Sequence, residues 1–118
     1  MTTPKTQHDV AVIGGGQLAR MMQPPAIALG IRLSLLAEGD DVSAAQVLRD
    51  YEGGDHTDAA DVRRAVGGAP VVTFDHEHVP TYLLRGLDAD GHACRPGPDA
   101  LIHAQDKLVM RRRLSELG

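Results

Sequence analysis

The chain has 118 residues, a formal net charge of −4 and a single cysteine. Hydrophobic residues make up 42% and charged residues 24%, a balance typical of one folded domain and not of a disordered chain. The acidic balance and the near absence of aromatic residues exclude a nucleic-acid partner. No apolar run approaches the roughly 20 residues of a membrane span, and no secretory signal is present. We therefore expect a cytoplasmic protein with no membrane partner.

The chain opens with a polar stretch and then a short apolar one. Residues 1–8 are predicted to be a flexible tail, and residues 9–118 to form one domain. Asp9–Ile13 reads DVAVI, which predicts a buried parallel strand ended by the glycines at 14–16.

A helix is predicted directly after these glycines, because apolar residues recur at helical spacing as far as Leu29. Gly30 is the predicted stop. Pro24 and Pro25 lie inside this pattern, and a proline removes a helix hydrogen bond and clashes with the preceding turn. We expect a kink or a restart there, with Pro25 near a new first turn.

The rest of the chain alternates short strands with short helices. Further strands are predicted at 31–36, 48–52, 70–74 and, weakly, 92–95. Helices are predicted from Asp40 or Asp41 through Val47, from Thr57 or Asp58 to Val66, and at 81–87, 99–103 and 107–117, with Asp106 and Gly118 as the caps of the last. This order predicts an α/β fold, a Rossmann-like open parallel sheet flanked by helices.

The glycine-rich turn is the first candidate site. Gly14, Gly15, Gly16, Gln17, Leu18 and Ala19 fit the pattern G-x-G-x-x-A between a strand and a helix. In that context, backbone amides and the helix dipole can bind a phosphate. A tight turn that needs glycine only for its backbone angles is the alternative. Glu38 follows the second strand, about where a nicotinamide-binding fold places its ribose carboxylate, so an NAD-binding domain stays open.

A second candidate site follows the strand at 70–74. Asp75 and Glu77 come at the carboxyl end of this strand, the edge where open α/β sheets bind ligands. Carboxylates accept hydrogen bonds from ribose hydroxyls. A metal site is the alternative, but His76, Glu77 and His78 are adjacent and lack the spacing of known ligand sets. We therefore favour sugar binding or solvation and predict no metal ligand.

Several other residues with reactive or charged side chains have simpler interpretations. Cys94 is predicted to be a buried small hydrophobic residue. The scattered histidines are predicted to be surface residues, and no nucleophile with an adjacent base is evident. Lys107 and residues 111–113 form a basic helix face, which either is solvated or reaches a nucleotide bound by a neighbouring domain.

Taken together, these residues resemble the N-terminal domain of the 5-(carboxyamino)imidazole ribonucleotide synthases, ATP-grasp ligases of purine (IMP) biosynthesis. The resemblance spans residues 9–118. It rests on GGGQLARM at 14–21, AIALG at 26–30, VVTFDHEHVP at 71–80, QDK at 105–107 and LSELG at 114–118.

The resemblance implies a pre-ATP-grasp domain of a carbon–nitrogen ligase. Its substrates would be 5-aminoimidazole ribonucleotide, bicarbonate and ATP with magnesium. Gly14, Gly15, Gly16, Gln17 and Leu18 would line the ribonucleotide phosphate and ribose. Asp75 and Glu77 would face the ribose hydroxyls, and Lys107 would reach ATP bound in the next domain. No catalytic residue is carried over, and the complete enzyme would be a homodimer.

The sequence departs from the family pattern at three places and in length. Ala19 stands where glycine is frequent, Asp75 where glutamate is frequent, and Pro24-Pro25 in a helix usually free of proline. The ATP-grasp and C-terminal domains are expected to be absent from this chain, which alone would be inactive. A related ligase acting on another ribonucleotide, and a folded interaction module without ligand affinity, stay open beside the NAD-binding alternative.

Overall fold

The computed structural model describes residues 8–118, so most of the predicted N-terminal tail lies outside the described residues. Five strands form one parallel sheet in the order β3-β2-β1-β4-β5. The strands are β1 Val10–Ile13, β2 Leu33–Ala37, β3 Tyr51–Gly53, β4 Val71–Phe74 and β5 Ala93–Cys94. The helices are α1 Gln17–Leu29, α2 Ala59–Val66, α3 Thr81–Ala89, α4 Pro98–Gln105 and α5 Lys107–Leu117. The predicted open parallel sheet flanked by helices is confirmed.

Helices cover both faces of the sheet, because alternate strand residues point to opposite sides. Val12 and Leu35 pack with α1 residues Ala19 and Ala26 on one face. The other face buries a larger cluster that includes side chains of α2, α3 and α4. Its members are Ala11, Ile13, Leu36, Val62, Ala65, Val66, Ala69, Val72, Phe74, Val79, Leu83, Leu84, Leu87, Cys94 and Leu101.

Two aspartates cap helices as the sequence predicts. Asp58 accepts hydrogen bonds from the amides of Ala60 and Asp61 at the start of α2. Asp106 accepts from Leu108 and Val109 at the start of α5. These side chains satisfy amides that a helix cannot pair internally, which explains why the helices begin there.

The predicted restart at Pro24 and Pro25 is wrong, because α1 runs unbroken through both prolines. Both proline side chains are exposed. The carbonyls that lose their helix partners therefore lie on the solvent side, where water can pair with them. Gly30 ends the helix with φ +69° and donates its amide to the carbonyls of Ala26 and Ile27, as a left-handed C-cap does.

The short helix predicted through Val47 is present as a 3-10 helix, but its predicted aspartate cap is wrong. A 3-10 turn spans Ser43–Gln46, and Val42 precedes it without a side-chain cap. The amide of Ala44 in this turn donates to the Gly15 carbonyl at 2.9 Å. The turn is thus held by the glycine-rich segment and not by an aspartate.

The last helix, α5, buries none of its residues, and Leu108, Leu114 and Leu117 are all more than half exposed.

Among the described helices, none is long and apolar enough to cross a bilayer.

Candidate functional site at the carboxyl edge of the sheet

The glycine-rich turn joins β1 to α1 at the carboxyl edge of the sheet. Gly14 has φ +103°, a left-handed value that favours glycine, and its amide donates to the Leu36 carbonyl at 2.9 Å. Gly16 is the N-cap of α1 and has no side chain with which to cap it. Asp75 caps the helix instead, accepting from the amides of Gly16 and Ala19 at 2.8 Å each. An internal carboxylate therefore pairs two of the amides at the N-terminus of α1.

Each glycine of the turn also lies against a close neighbour. A Cβ at position 16 would collide with the Asp75 carboxylate, and one at position 14 would lie 2.9 Å from the His76 ring. At position 15 it would lie 2.6 Å from Val42. All three positions therefore need glycine for internal packing, whether or not a ligand binds.

Two amides at the start of α1 remain available for a ligand. Within the described residues, the amides of Gln17 and Leu18 donate to no protein acceptor, and both residues are exposed. They point out of the first turn of a 13-residue helix, where the helix dipole favours an anion. The nearby Asp75 carboxylate opposes part of that attraction.

The loop after β4 separates the two predicted carboxylates. Asp75 contacts the glycine-rich turn, whereas Glu77 lines a cleft together with His78 and Lys107. Both oxygens of Asp75 already accept an amide, but a carboxylate oxygen has a second lone pair that can accept a hydroxyl. Among residues 8–118, the one ion-pair contact of Glu77 is with the His78 ring, at 3.9 Å.

The cleft has a volume of about 560 Å³ and lies between the β4–α3 loop and the α4–α5 junction. Lys107 lines the cleft, is exposed, and forms no ion pair with any described residue. Glu77 and Lys107 belong to separate sequence motifs, and the fold brings both to one opening.

Gln105 connects the two walls of this cleft, and sequence reasoning gave it no role. Its Nε2 donates to the Val79 carbonyl at 2.6 Å, and its Oε1 accepts from the Thr81 hydroxyl at 3.1 Å. The end of α4 is thereby tied to the start of α3. The only sequence signal was the adjacency of Gln105 to Asp106 and Lys107.

A second group that sequence reasoning missed lies beside the glycine-rich turn. Glu38, His56 and His76 follow β2, β3 and β4, and one ligand-type atom from each lies within 4.8 Å of the others. The Glu38 Oε2 accepts from the Gly15 amide at 3.3 Å, so this carboxylate faces the turn. The three positions are far apart in the sequence, so their spacing carried no signal.

The prediction for Cys94 is confirmed. Its side chain is fully buried, and burial raises the pKa of the thiol to about 12, with the Asp88 carboxylate adding to the rise. A thiol with such a pKa is protonated at neutral pH and is a structural residue.

The parallel sheet and the glycine-rich turn at its carboxyl edge define the class of Rossmann-like α/β domains. The family model for the ribonucleotide synthetase preATP-grasp domain matches residues 7–105. The chain belongs to this family.

Similar proteins agree with that assignment. The chain is 60% identical over 109 residues to the N5-carboxyaminoimidazole ribonucleotide synthase of Mycobacterium leprae, covering 92% of this chain and 25% of that protein. The synthetase of Thermus thermophilus matches with a TM-score of 0.84 at 30% identity, covering 92% of this chain and 30% of that one. The Aspergillus clavatus synthase, solved with ADP and 5-aminoimidazole ribonucleotide, matches with a TM-score of 0.82 at 31% identity, covering 95% and 30%. The chain thus spans about a quarter of the length of its curated relative.

Proposed function

We propose that this chain is the ribonucleotide-binding N-terminal part of an ATP-dependent ligase that carboxylates 5-aminoimidazole ribonucleotide with bicarbonate in purine biosynthesis. The observation that carries the proposal is the family match, together with relatives of this name at up to 60% identity. The reacting groups and most of the ATP site would belong to parts of the complete enzyme outside this chain. The chain alone would be inactive.

The polar groups of the carboxyl edge support a ribonucleotide. The Gln17 and Leu18 amides offer two donors to the phosphate, and the close packing of Gly14, Gly15 and Gly16 keeps the turn beside them tight. Glu77, whose one ion-pair contact within the described part of the chain is 3.9 Å long, would accept from a ribose hydroxyl. Asp75 would keep the donors in place by capping α1 and would use its remaining lone pairs toward the ribose.

The cleft supports a second, neighbouring ligand. Lys107 is a cation without an ion pair among the described residues, which fits a phosphate oxygen of ATP held by the adjoining domain. We place the magnesium that accompanies ATP in that adjoining domain, because the described residues at the cleft offer only Glu77 as a carboxylate ligand. We also include in the proposal a cytoplasmic location and a homodimeric complete enzyme.

The complete protein provides the test. ADP release is measured with 5-aminoimidazole ribonucleotide, bicarbonate and ATP present, and again with each omitted in turn. The proposal predicts turnover only when all three are present. Turnover with a different ribonucleotide in place of 5-aminoimidazole ribonucleotide would favour a related ligase. NAD-dependent hydride transfer without ATP consumption would favour the oxidoreductase alternative and contradict the proposal.

A further inference from the structure

The group formed by Glu38, His56 and His76 has the composition of a metal site. Two imidazoles and one carboxylate are brought together by three separate loops at the same edge of the sheet. Imidazole nitrogen and carboxylate oxygen are ligands that divalent first-row metals such as zinc accept. None of these three side chains has a role in the proposed reaction.

The surrounding structure orients two of the three side chains. The Gly15 amide holds the Oε2 of Glu38, which leaves Oε1 directed at His76 Nε2, 3.6 Å away. The His76 ring packs against Gly14 and is only 21% exposed. A ligand whose position is fixed by neighbouring groups loses less freedom on binding a metal.

The ligand atoms of the three side chains would fit around one metal ion if they moved slightly closer together. Ligand atoms around a tetrahedral zinc ion with bonds of about 2.0–2.1 Å lie about 3.4 Å apart. The separation of 3.6 Å between Glu38 and His76 is close to that value, and no pair in the group exceeds 4.8 Å. His56 already contacts His76 edge to face, with ring centroids 4.6 Å apart. Because no two of the three ligand atoms are more than 4.8 Å apart, an approach of up to about 1.4 Å by the His56 nitrogen would complete the site.

We propose that Glu38, His56 and His76 bind one divalent transition-metal ion, for which zinc is the suitable probe. Three protein ligands leave a fourth tetrahedral position for water or an anion. The ion would add positive charge beside the glycine-rich turn, where Glu38 and Asp75 otherwise contribute two carboxylates.

Metal binding would change one hydrogen bond that can be observed. The His78 amide donates to His76 Nδ1 at 3.2 Å, so the neutral His76 ring carries its proton on Nε2. A metal on Nε2 requires the proton to move to Nδ1, which then no longer accepts from the amide. The His78 amide resonance should therefore shift on zinc addition although His78 is not a ligand.

Zinc titrations of the 118-residue chain by calorimetry test the site, with cobalt absorption as a measure of tetrahedral geometry. We expect one zinc per chain, and affinity at least about tenfold weaker in His56→Ala, His76→Ala and Glu38→Gln. His103→Ala removes a histidine outside the group, and His8→Ala removes the histidine that contacts Asp50, so both should bind as the parent does. Circular dichroism of each variant checks that it is folded.

Three results would overturn the proposal. The parent chain could fail to bind zinc at millimolar concentration, or the two control variants could lose as much zinc affinity as the three site variants. The third is a His78 amide resonance that does not shift when zinc is added to the parent chain. The last two would indicate adventitious binding to scattered histidines. Because no nucleotide is present in these titrations, their outcome is independent of the proposed ligase function.

Discussion

The glycine-rich turn and the cleft lie at the same edge of the sheet, but their polar groups differ in how they are satisfied. In the turn, the amides of Gly14, Gly15 and Gly16 all donate to acceptors within the protein. In the cleft, Lys107 has no ion pair among residues 8–118, and Glu77 has only a distant contact. Internal packing alone can thus require the glycines of such a motif. Ligand contacts are expected at neighbouring polar groups that have no partner within the protein.

The largest effect should come from Gly16→Ala in the closed turn. Gly16 has φ −82° and ψ −160°, values open to alanine, so the cost arises only from collision of the new Cβ with the Asp75 carboxylate. We expect a loss of about 2–3 kcal/mol in the free energy of unfolding, measured by urea denaturation.

Gly53→Ala is the matched control, because nothing lies within 4 Å of a Cβ at that position. Its unfolding free energy should stay within about 0.5 kcal/mol of the parent. Equal stability of the two variants would show that the turn is looser than described.

Asp75→Ala should have the next largest effect, because it removes the acceptor of both the Gly16 and the Ala19 amides. We expect a loss of about 2 kcal/mol in chemical denaturation. Asp99→Ala on α4 removes a carboxylate that is 89% exposed and should change stability by less than about 0.5 kcal/mol. An Asp75→Ala chain as stable as this control would contradict the capping role.

A smaller effect is expected for Gln105→Ala at the cleft. The variant loses the hydrogen bonds to Val79 and Thr81, for a cost of about 1 kcal/mol in thermal or urea unfolding. Gln46→Ala is the control, because it loses an exposed hydrogen bond from Arg20. It should lower the free energy of unfolding by less than Gln105→Ala does. The reverse order would mean that Gln105 does not hold the two walls together.

Lys107→Ala should have the smallest effect on stability, within about 0.5 kcal/mol, because the side chain is exposed and forms no ion pair among the described residues. In the complete enzyme, the KM for ATP should rise about tenfold, equivalent to about 1.4 kcal/mol. Lys107→Arg keeps the positive charge, so its KM for ATP should rise less. An unchanged KM in Lys107→Ala would remove Lys107 from the ATP site.

Most of the fold could be predicted from local signals. Buried runs such as Val71–Phe74 bounded by glycine or polar residues indicated the strands, and Asp58 and Asp106 marked helix starts. Pro24 and Pro25 were misjudged because their cost depends on whether the unpaired carbonyls face solvent, and the sequence does not show that.

The contacts of the site were harder to predict because they depend on strand order. β1 pairs with β4, with Ile13 beside Phe74, so the next residues bring Asp75 against the glycine-rich turn. Knowledge of this pairing would have identified Asp75 as the cap of α1. The group of Glu38, His56 and His76 likewise exists only because β2, β3 and β4 end at one edge.

The central claim is that a ribonucleotide binds at this edge, and amide NMR of the 118-residue chain tests it most directly. The chain is titrated with 5-aminoimidazole ribonucleotide, and separately with NAD and with ribose 5-phosphate. We expect the ribonucleotide to shift the amide resonances of Gln17, Leu18 and Glu77 more than either control does. Shifts at Glu38 and the glycines with NAD, and none with the ribonucleotide, would contradict it.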